Sequence, residues 1–169
     1  PIDYKIRLGE APYAMPQLPA VQGTDMAGEV VAVGEGVTQF RVGDEVYGLT
    51  GGVRGLQGSL AEFIAADADL LAIKPRNLSM REAAALPLTF LTAWSGLVDN
   101  ANVQAGQHVL VQGGAGGVGN MVVQLANALG AKVAATVCTA DQELITTLGA
   151  FPLDYTKVST QDIIEQCTD

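Results

Sequence analysis

The stretch from Gln107 to Leu129 constrains the fold of this chain more than any other. It opens with an apolar run at 109–111, the pattern of a buried strand. A glycine cluster follows at 113–119, and apolar residues then recur at helical spacing until Gly130, a natural C-terminal stop. Strand, glycine turn and helix form the context in which a G-x-G-x-x-G match becomes informative, and Gly114, Gly116 and Gly119 supply that match.

The chemistry of such a turn comes from its backbone. Residues without a Cβ let the main chain turn sharply and approach a pyrophosphate. The helix start then offers unpaired N–H groups and the positive end of the helix dipole to the anion. A glycine loop without a ligand is the alternative, but the flanking strands and helix favour dinucleotide binding. The predicted contacts in the turn are Gly113, Gly114, Ala115, Gly116, Gly117, Val118 and Gly119.

Composition narrows the function classes. The net charge of −9 argues against a nucleic-acid partner or an anionic membrane surface. The two cysteines, Cys138 and Cys167, are too few for a structural zinc site or a disulfide framework and fit a reducing compartment. The sequence shows no apolar run of membrane-spanning length, and we expect no signal peptide. We therefore expect a cytoplasmic globular protein.

Both ends of the chain suggest a piece of a longer enzyme. It opens at Pro1 without an initiator Met and closes at 163–169, within or just after a predicted helix. A dinucleotide fold normally has two βαβαβ halves, and only the first can fit after Gln107. We expect an internal fragment that binds the nucleotide weakly and is inactive alone.

The N-terminal half has the pattern of a small, irregular β-barrel. Residues 1–27 are predicted to be a loop, because prolines recur at 12, 16 and 19. Short strands separated by glycine turns are then expected. The predicted strands are Met26–Val33, Glu45–Leu49, Ser59–Ala65 and Leu70–Ile73.

The chain then changes to a helical and βαβα pattern, which predicts one domain at 1–88 and a second at 89–169. Ser79 and Glu82 form a capping box for a helix that ends before Pro87. A helix over Thr89–Asp99 and strands at Lys132–Val137 and Pro152–Tyr155 are also predicted. Between the two strands we expect a helix that is capped by Thr139 and has Gln142 at N3. Its predicted buried face consists of Leu144, Ile145 and Leu148.

The choice of nucleotide depends on the end of the second strand of this unit. An Asp or Glu there commonly binds the ribose hydroxyls of NAD. The sequence at 136–139 has no acid and two threonines, which favours NADP. No Arg or Lys lies within 136–142, however, and Asp141 stands there instead. If Asp141 binds the ribose hydroxyls, the cofactor could be NAD. Alternatively, Asp141 only stabilises the start of the helix through the helix dipole.

Taken together, these residues resemble the zinc-free quinone oxidoreductase (zeta-crystallin-like) branch of the medium-chain dehydrogenase/reductase superfamily, near the alkenal/enone oxidoreductases. The similarity covers essentially the whole chain. Each marker is weak alone, but their common order makes the resemblance strong. The markers are Pro1–Arg7, Gly23–Gly28, Val33–Val37, Gly43–Val46, Gly58–Phe63, Ala84–Pro87, Thr92-Ala93 and the glycine turn.

The resemblance implies an α/β fold with a β-rich N-terminal unit. Residues 1–88 would be a GroES-like irregular β-barrel that carries the catalytic residues. Residues 89–169 would be the first half of a Rossmann doubly wound parallel sheet, with the active site in the cleft between the two. The parent protein would be a homodimer.

The resemblance also implies that no zinc is bound. Zinc-dependent relatives carry a His ligand where this sequence has Thr24. Their cysteine ligand would fall before Pro1, and the four-cysteine structural lobe is missing.

The implied reaction is hydride transfer from NADPH to a quinone or to the conjugated C=C of an enone or enal. Lys5, in an Asp-x-Lys pattern, would stabilise the developing enolate oxygen. Thr92 would contact the nicotinamide side, and Tyr155 would pack on the 2′-phosphate. Thr136, Cys138 and Thr139 complete the predicted phosphate end. A solvated Lys5, a Thr92 bonded within its own helix and a core-packed Tyr155 are the structural alternatives.

Two other functions remain open at this stage. An enoyl-thioester reductase would share the fold, since the discriminating pocket would lie outside this chain. A nucleotide-binding sensor or a structural protein without turnover belongs to a different class. Activity with a quinone or an enone separates the enzymes from the latter.

Overall fold

The structure is a computed structural model that describes residues 2–159 and 161–162. The chain divides into two compact units on either side of the Leu88–Thr89 bond. Each unit contains one three-stranded sheet among its described residues. The helix predicted near 163–167, together with Cys167, lies outside the described residues.

The first unit has an antiparallel sheet in the order β1 (Asp25–Glu29), β2 (Glu45–Leu49) and β3 (Leu71–Ile73). The strand predictions at 45–49 and 70–73 are therefore confirmed to within one residue. The first predicted strand is shorter than expected, because regular pairing in β1 stops at Glu29.

The strand predicted at Ser59–Ala65 is wrong. The start of this segment bonds a loop instead of a strand, because the N–H groups of Gly58, Ser59 and Leu60 donate to carbonyls at 21–23. The Ser59 hydroxyl also donates to the Asp25 carbonyl at 2.5 Å. Apolar alternation alone could not reveal that the partner of this segment is irregular.

The prediction of a loop over 1–27 is wrong at its start, where α1 (Ile2–Leu8) forms. Ile2 and Ile6 are one helical turn apart, and Ile6 is buried against Ala11 and Ala14 with Ile2 packed beside it. Gly9, at φ +76°, follows the helix directly. The prolines that suggested a loop begin only after this helix.

The capping box at Ser79 is confirmed. The Ser79 N–H donates to Glu82 Oε2 at 2.8 Å, and the Glu82 N–H donates back to Ser79 Oγ at 3.3 Å. The resulting helix, α2 (Met80–Ala84), ends before Pro87 as expected. The next helix, α3 (Pro87–Trp94), begins two residues earlier than predicted and continues as a π-helical turn over Ser95–Asn100.

The second unit is a βαβαβ arrangement. It comprises β4 (His108–Val111), α4 (Gly117–Ala128), β5 (Lys132–Val137), α5 (Gln142–Thr147) and β6 (Phe151–Asp154). The strands are parallel in the order β4-β5-β6, which confirms the predicted first portion of a doubly wound sheet. The core lies between the sheet and the helices, where Val123, Ala126, Ala135 and Ile145 are fully buried.

The start of α5 differs from its prediction. A 3₁₀ turn over Thr139–Asp141 precedes the helix, and the Thr139 hydroxyl does not cap it. Thr139 Oγ1 and Gln142 Nε2 both donate to the Asp154 carboxylate instead. A buried carboxylate on the neighbouring strand therefore outcompetes the local cap. Ile145 is buried as predicted, but Leu144 is 43% exposed.

Candidate nucleotide-binding site

The turn between β4 and α4, together with the first turn of α4, requires glycine for steric reasons at three positions. Gly113 adopts φ +71°, which favours a residue without Cβ. A Cβ on Gly114 would lie 2.7 Å from Ala135 Cβ, so the turn packs directly on β5. A Cβ on Gly119 would overlap the Gly113 carbonyl oxygen. The glycines thus let the turn close on itself and on the sheet.

Thr136 on β5 fixes this turn in place. The Gly113 N–H donates to Thr136 Oγ1 at 3.0 Å, and the Gly114 N–H donates to the Thr136 carbonyl at 3.0 Å. The Gly116 N–H closes the turn by donating to the Gly113 carbonyl at 3.0 Å. Thr136, predicted as a cofactor contact, therefore also anchors the glycine turn.

The start of α4 meets the requirements for an anion site. The first intrahelical hydrogen bond runs from the Asn120 N–H to the Gly116 carbonyl, so the N–H groups at 117–119 precede it. Gly116, the N-cap residue, has no side chain to cover them, and Gly116 and Gly117 are exposed. An open helix start of this kind can bind the pyrophosphate of a dinucleotide through its backbone N–H groups. Gly113–Gly119 and Thr136 are the residues that would hold it.

A second polar cluster lies at the same edge of the sheet, beyond β5 and β6. Its centre is Asp154, the last residue of β6, which pairs with Val137 at the end of β5 and is 5% exposed. Oδ2 accepts from Thr139 Oγ1 at 2.5 Å, Gln142 Nε2 at 3.0 Å and Lys157 Nζ at 3.1 Å.

The other carboxylate oxygen of Asp154 builds the turn that follows β6. Oδ1 accepts from the Thr156 N–H at 3.0 Å and from the Thr156 hydroxyl at 2.6 Å. The hydrogen bonds from Thr139 and Thr156, with Lys157 adding a smaller effect, hold the pKa of Asp154 well below its usual range. Asp154 is therefore an ionised carboxylate that organises the loops after β5 and β6.

The remaining residues predicted at the phosphate end lie around this cluster. Cys138 Sγ donates to Asp141 Oδ2 at 3.0 Å, which places Asp141 in a local contact. The Tyr155 side chain is 57% exposed, so the alternative of a core-packed ring does not hold. The Tyr155 N–H extends the sheet by donating to the Val137 carbonyl at 3.1 Å. The Thr139 hydroxyl is already engaged by Asp154.

Sequence reasoning missed the roles of Asp154 and Lys157. An Asp followed two residues later by Thr is a signal for a turn in which the side chain bonds its own backbone. No pattern in the sequence, however, shows that Thr139 and Gln142 converge on the same carboxylate.

In the first unit, Lys5 lies exposed on the last turn of α1. Asp3, two residues before Lys5, accepts the Thr24 N–H at 3.0 Å and so links the helix to the loop before β1. Thr24 is 3% exposed, and its hydroxyl donates to Asp25 Oδ2 at 3.2 Å. The position of Lys5 is thus set by a hydrogen bond two residues away. Thr92 lies exposed on α3.

Asp25 has an environment unlike that of Asp154. Its Oδ1 accepts the Leu88 N–H at 2.7 Å, and its Oδ2 accepts the Thr24 hydroxyl at 3.2 Å. Burial raises the pKa of Asp25 despite these two hydrogen bonds, and the nearby Asp3 carboxylate adds to the rise.

Within 2–159 and 161–162, no three His, Cys, Asp or Glu side chains converge as a metal site would require. No helix in the same part of the chain has the length and apolar character needed to cross a membrane.

Comparison with known proteins identifies the relatives of this chain. Residues 1–76 match the family model of the alcohol dehydrogenase GroES-like domain. The 2-methylene-furan-3-one reductase of Solanum lycopersicum is 48% identical over 172 residues, which cover 96% of this chain and 44% of that protein. The chain is a homologue of the quinone and alkenal oxidoreductases of the medium-chain dehydrogenase/reductase superfamily.

Two further relatives agree with this assignment. The chloroplastic NADPH-dependent alkenal/one oxidoreductase of Arabidopsis thaliana is 44% identical over 171 residues, which cover 96% of this chain and 44% of that protein. The crystal structure of an alcohol dehydrogenase superfamily protein from Novosphingobium aromaticivorans has a TM-score of 0.91 and 59% identity, and the match covers 93% of this chain and 48% of that one. The chain thus spans less than half the length of these relatives.

Proposed function

We propose that the full-length protein is an NADPH-dependent oxidoreductase that transfers a hydride to quinones or to the conjugated C=C of enones and enals. The glycine turn at 113–119 is the observation that carries this proposal, since its geometry requires glycine and leaves the start of α4 open to an anion. The Solanum reductase of a 2-methylene-furan-3-one and the Arabidopsis alkenal/one oxidoreductase support enones and enals as substrates. A chloroplast envelope quinone oxidoreductase homolog of Arabidopsis thaliana, 39% identical, supports quinones.

Each candidate residue has a defined task in this proposal. The N–H groups at 117–119 bind the pyrophosphate, while Thr136 keeps the turn in its binding shape. Bound NADPH supplies the hydride. The Lys5 ammonium donates to the substrate oxygen on which negative charge develops, and Lys5 or water delivers the proton. Thr92 contacts the nicotinamide side.

The reaction is proposed to proceed without zinc. Thr24, at the position of a zinc-binding His in other members of the superfamily, is buried and hydrogen-bonded to Asp25, and its backbone N–H is bonded to Asp3. A hydroxyl in this setting is a poor substitute for an imidazole ligand. Elemental analysis of the purified full-length protein, with activity measured before and after chelation, tests this part of the proposal.

The catalytic role of Lys5 is tested by Lys5→Ala and Lys5→Arg in the full-length protein. With an enone and a quinone as substrates, we expect Lys5→Ala to lower kcat about 10²-fold or more, since one lost donor at a developing oxyanion costs about that much. NADPH affinity should stay unchanged, and Lys5→Arg should restore part of kcat. Full turnover in Lys5→Ala would remove Lys5 from the mechanism.

The nucleotide site is tested by Gly119→Ala, with Gly96→Ala as its control. A methyl group on Gly119 displaces the Gly113 carbonyl, whereas one on Gly96 meets no atom within 4 Å. NADPH binding should be lost only in Gly119→Ala. Wild-type protein that reduces enoyl thioesters but not enones would favour the alternative reductase. Binding without turnover of any of these substrates would favour the sensor.

A further inference from the structure

We propose that Lys157 is the cation that binds the 2′-phosphate of NADPH and sets the cofactor preference, with Asp154 as its positioning residue. This inference rests on the proposed function. It addresses the main difficulty for NADP in the sequence, which is that no Arg or Lys lies within 136–142.

Elimination among the basic residues of the second unit points to Lys157. Between 89 and 169, the sequence contains two lysines, Lys132 and Lys157, one histidine, His108, and no arginine. Lys132 and His108 begin β5 and β4 and pair with each other at the amino ends of the strands. Lys157 instead follows β6 at the carboxyl edge, which is also the edge of the glycine turn. It is therefore the basic side chain of this unit on the ligand-binding side of the sheet.

The contacts of Asp154 leave the ammonium group available. A carboxylate has about four lone-pair sites, and Asp154 receives four donors from Thr139, Gln142 and Thr156 before Lys157 is counted. Asp154 therefore does not need Lys157 to be satisfied. The Lys157 side chain is 60% exposed, and an ion pair at such exposure holds its cation weakly. Its remaining N–H groups can serve a phosphate.

Asp154 also sets where this cation stands. The Lys157 N–H donates to the Asp154 carbonyl at 2.9 Å, and Lys157 Nζ bonds Oδ2 of the same residue. Tyr155, between them in the chain, is fixed to β5 through its N–H. An exposed aromatic ring and an exposed ammonium thus flank one turn at the end of the sheet. A phosphate monoester, with a charge of about −1.5 to −2 at pH 7, matches this pair.

The experiment compares Lys157→Gln with Lys132→Gln, its control at the opposite edge, in the full-length protein. Dissociation constants for NADPH and NADH are measured by calorimetry. We expect Lys157→Gln to weaken NADPH about tenfold while NADH changes less than twofold. Lys132→Gln should leave both unchanged, and Lys157→Arg should retain most of the NADPH preference. The NADPH advantage of wild type should also shrink with added salt.

Three outcomes would overturn the inference. If wild type prefers NADPH and Lys157→Gln keeps that preference, Lys157 is only a surface ion-pair partner. If Lys157→Gln weakens both nucleotides equally, its effect is structural and not directed at the 2′-phosphate. If wild type binds neither nucleotide, the proposed function fails together with this inference. In the first two outcomes wild type still binds a nucleotide, so only the inference about Lys157 fails.

Discussion

Asp25 in the first unit is partly buried and Asp154 in the second is buried, and their pKa values shift in opposite directions. The pKa of Asp25 is raised because burial outweighs the hydrogen bonds from Leu88 and Thr24. The pKa of Asp154 is lowered because hydrogen bonds from Thr139 and Thr156, supported by Lys157, outweigh burial. Burial is the largest influence on the pKa of Asp25, whereas hydrogen bonds are the largest influence on that of Asp154, so several donors to one carboxylate can reverse the effect of burial.

The comparison predicts opposite effects on stability. Asp154 has a lowered pKa in the folded state, so it stabilises the fold above the unfolded aspartate pKa of about 3.9, and this contribution is lost as the pH falls. Asp25 has a raised pKa, so its ionised form costs stability at neutral pH, and protonation on acidification favours the folded state.

The largest expected effect is that of Asp154→Asn. The amide removes the charge and turns a donor toward Thr139, Gln142 or Lys157, so hydrogen bonds to the buried carboxylate position are lost. Thermal unfolding at pH 7, followed by circular dichroism, should show the greatest loss of all the substitutions considered. Asp141→Asn, which changes the acceptor of the Cys138 thiol and leaves the hydrogen bonds of Asp154 intact, is the matched control. Equal midpoints for the two variants would contradict the central role given to Asp154.

A smaller loss is expected for Thr139→Val, which keeps the shape of the side chain and deletes one donor to Asp154. Because that hydrogen bond is the largest cause of the lowered pKa, the pKa of Asp154 should rise toward its ordinary value. An NMR titration of the carboxyl carbon measures this directly. An unshifted Asp154 would mean that Thr156 and Lys157 alone hold its charge.

The pH profile sharpens the comparison further. The thermal unfolding temperature of wild type should decrease as the pH is lowered below about 4. In this range unfolded aspartate binds protons that Asp154 in the folded protein does not bind. In Asp154→Asn this acid-linked fall should be reduced. In Asp25→Asn it should become steeper, since the variant loses a group whose protonation favours the folded state. Parallel profiles for all three proteins would contradict the opposite pKa directions.

The smallest effect at neutral pH is expected for Asp25→Asn. The amide oxygen can still accept the Leu88 N–H, and the cost of burying a charge disappears. The free energy of unfolding at pH 7 should change by less than about 1 kcal/mol, toward higher stability. Denaturant unfolding provides the measurement. A loss as large as that of Asp154→Asn would place Asp25 in the same class as Asp154.

The sequence predicted what local patterns determine. The glycine turn, β5, and the Ser79 capping box depend on residues close together in the chain, and all appear in the structure. The predicted strand at 59–65 failed because its partner is an irregular loop at 21–23. The predicted Thr139 cap failed because Asp154, fifteen residues away, takes the hydroxyl. Both errors come from long-range hydrogen bonds that compete with a local pattern.

α1 shows another limit of local patterns. Ile2 and Ile6 have helical spacing, but a stretch this short carries little periodic signal. The prolines that follow it therefore led to the prediction of a loop. Its stability comes from packing of Ile6 on Ala11 and Ala14 and from the contact between Asp3 and Thr24. Neither contact can be read from propensity. The position of Lys5 therefore emerged only from the structure.

The most direct test of the account is binding of NADPH and NADH to the full-length wild-type protein, followed by calorimetry or by Trp94 fluorescence. The account predicts NADPH binding at least tenfold tighter than NADH, a difference of about 1.4 kcal/mol. Equal or tighter binding of NADH would contradict it and would identify Asp141 as the acidic residue that selects NAD.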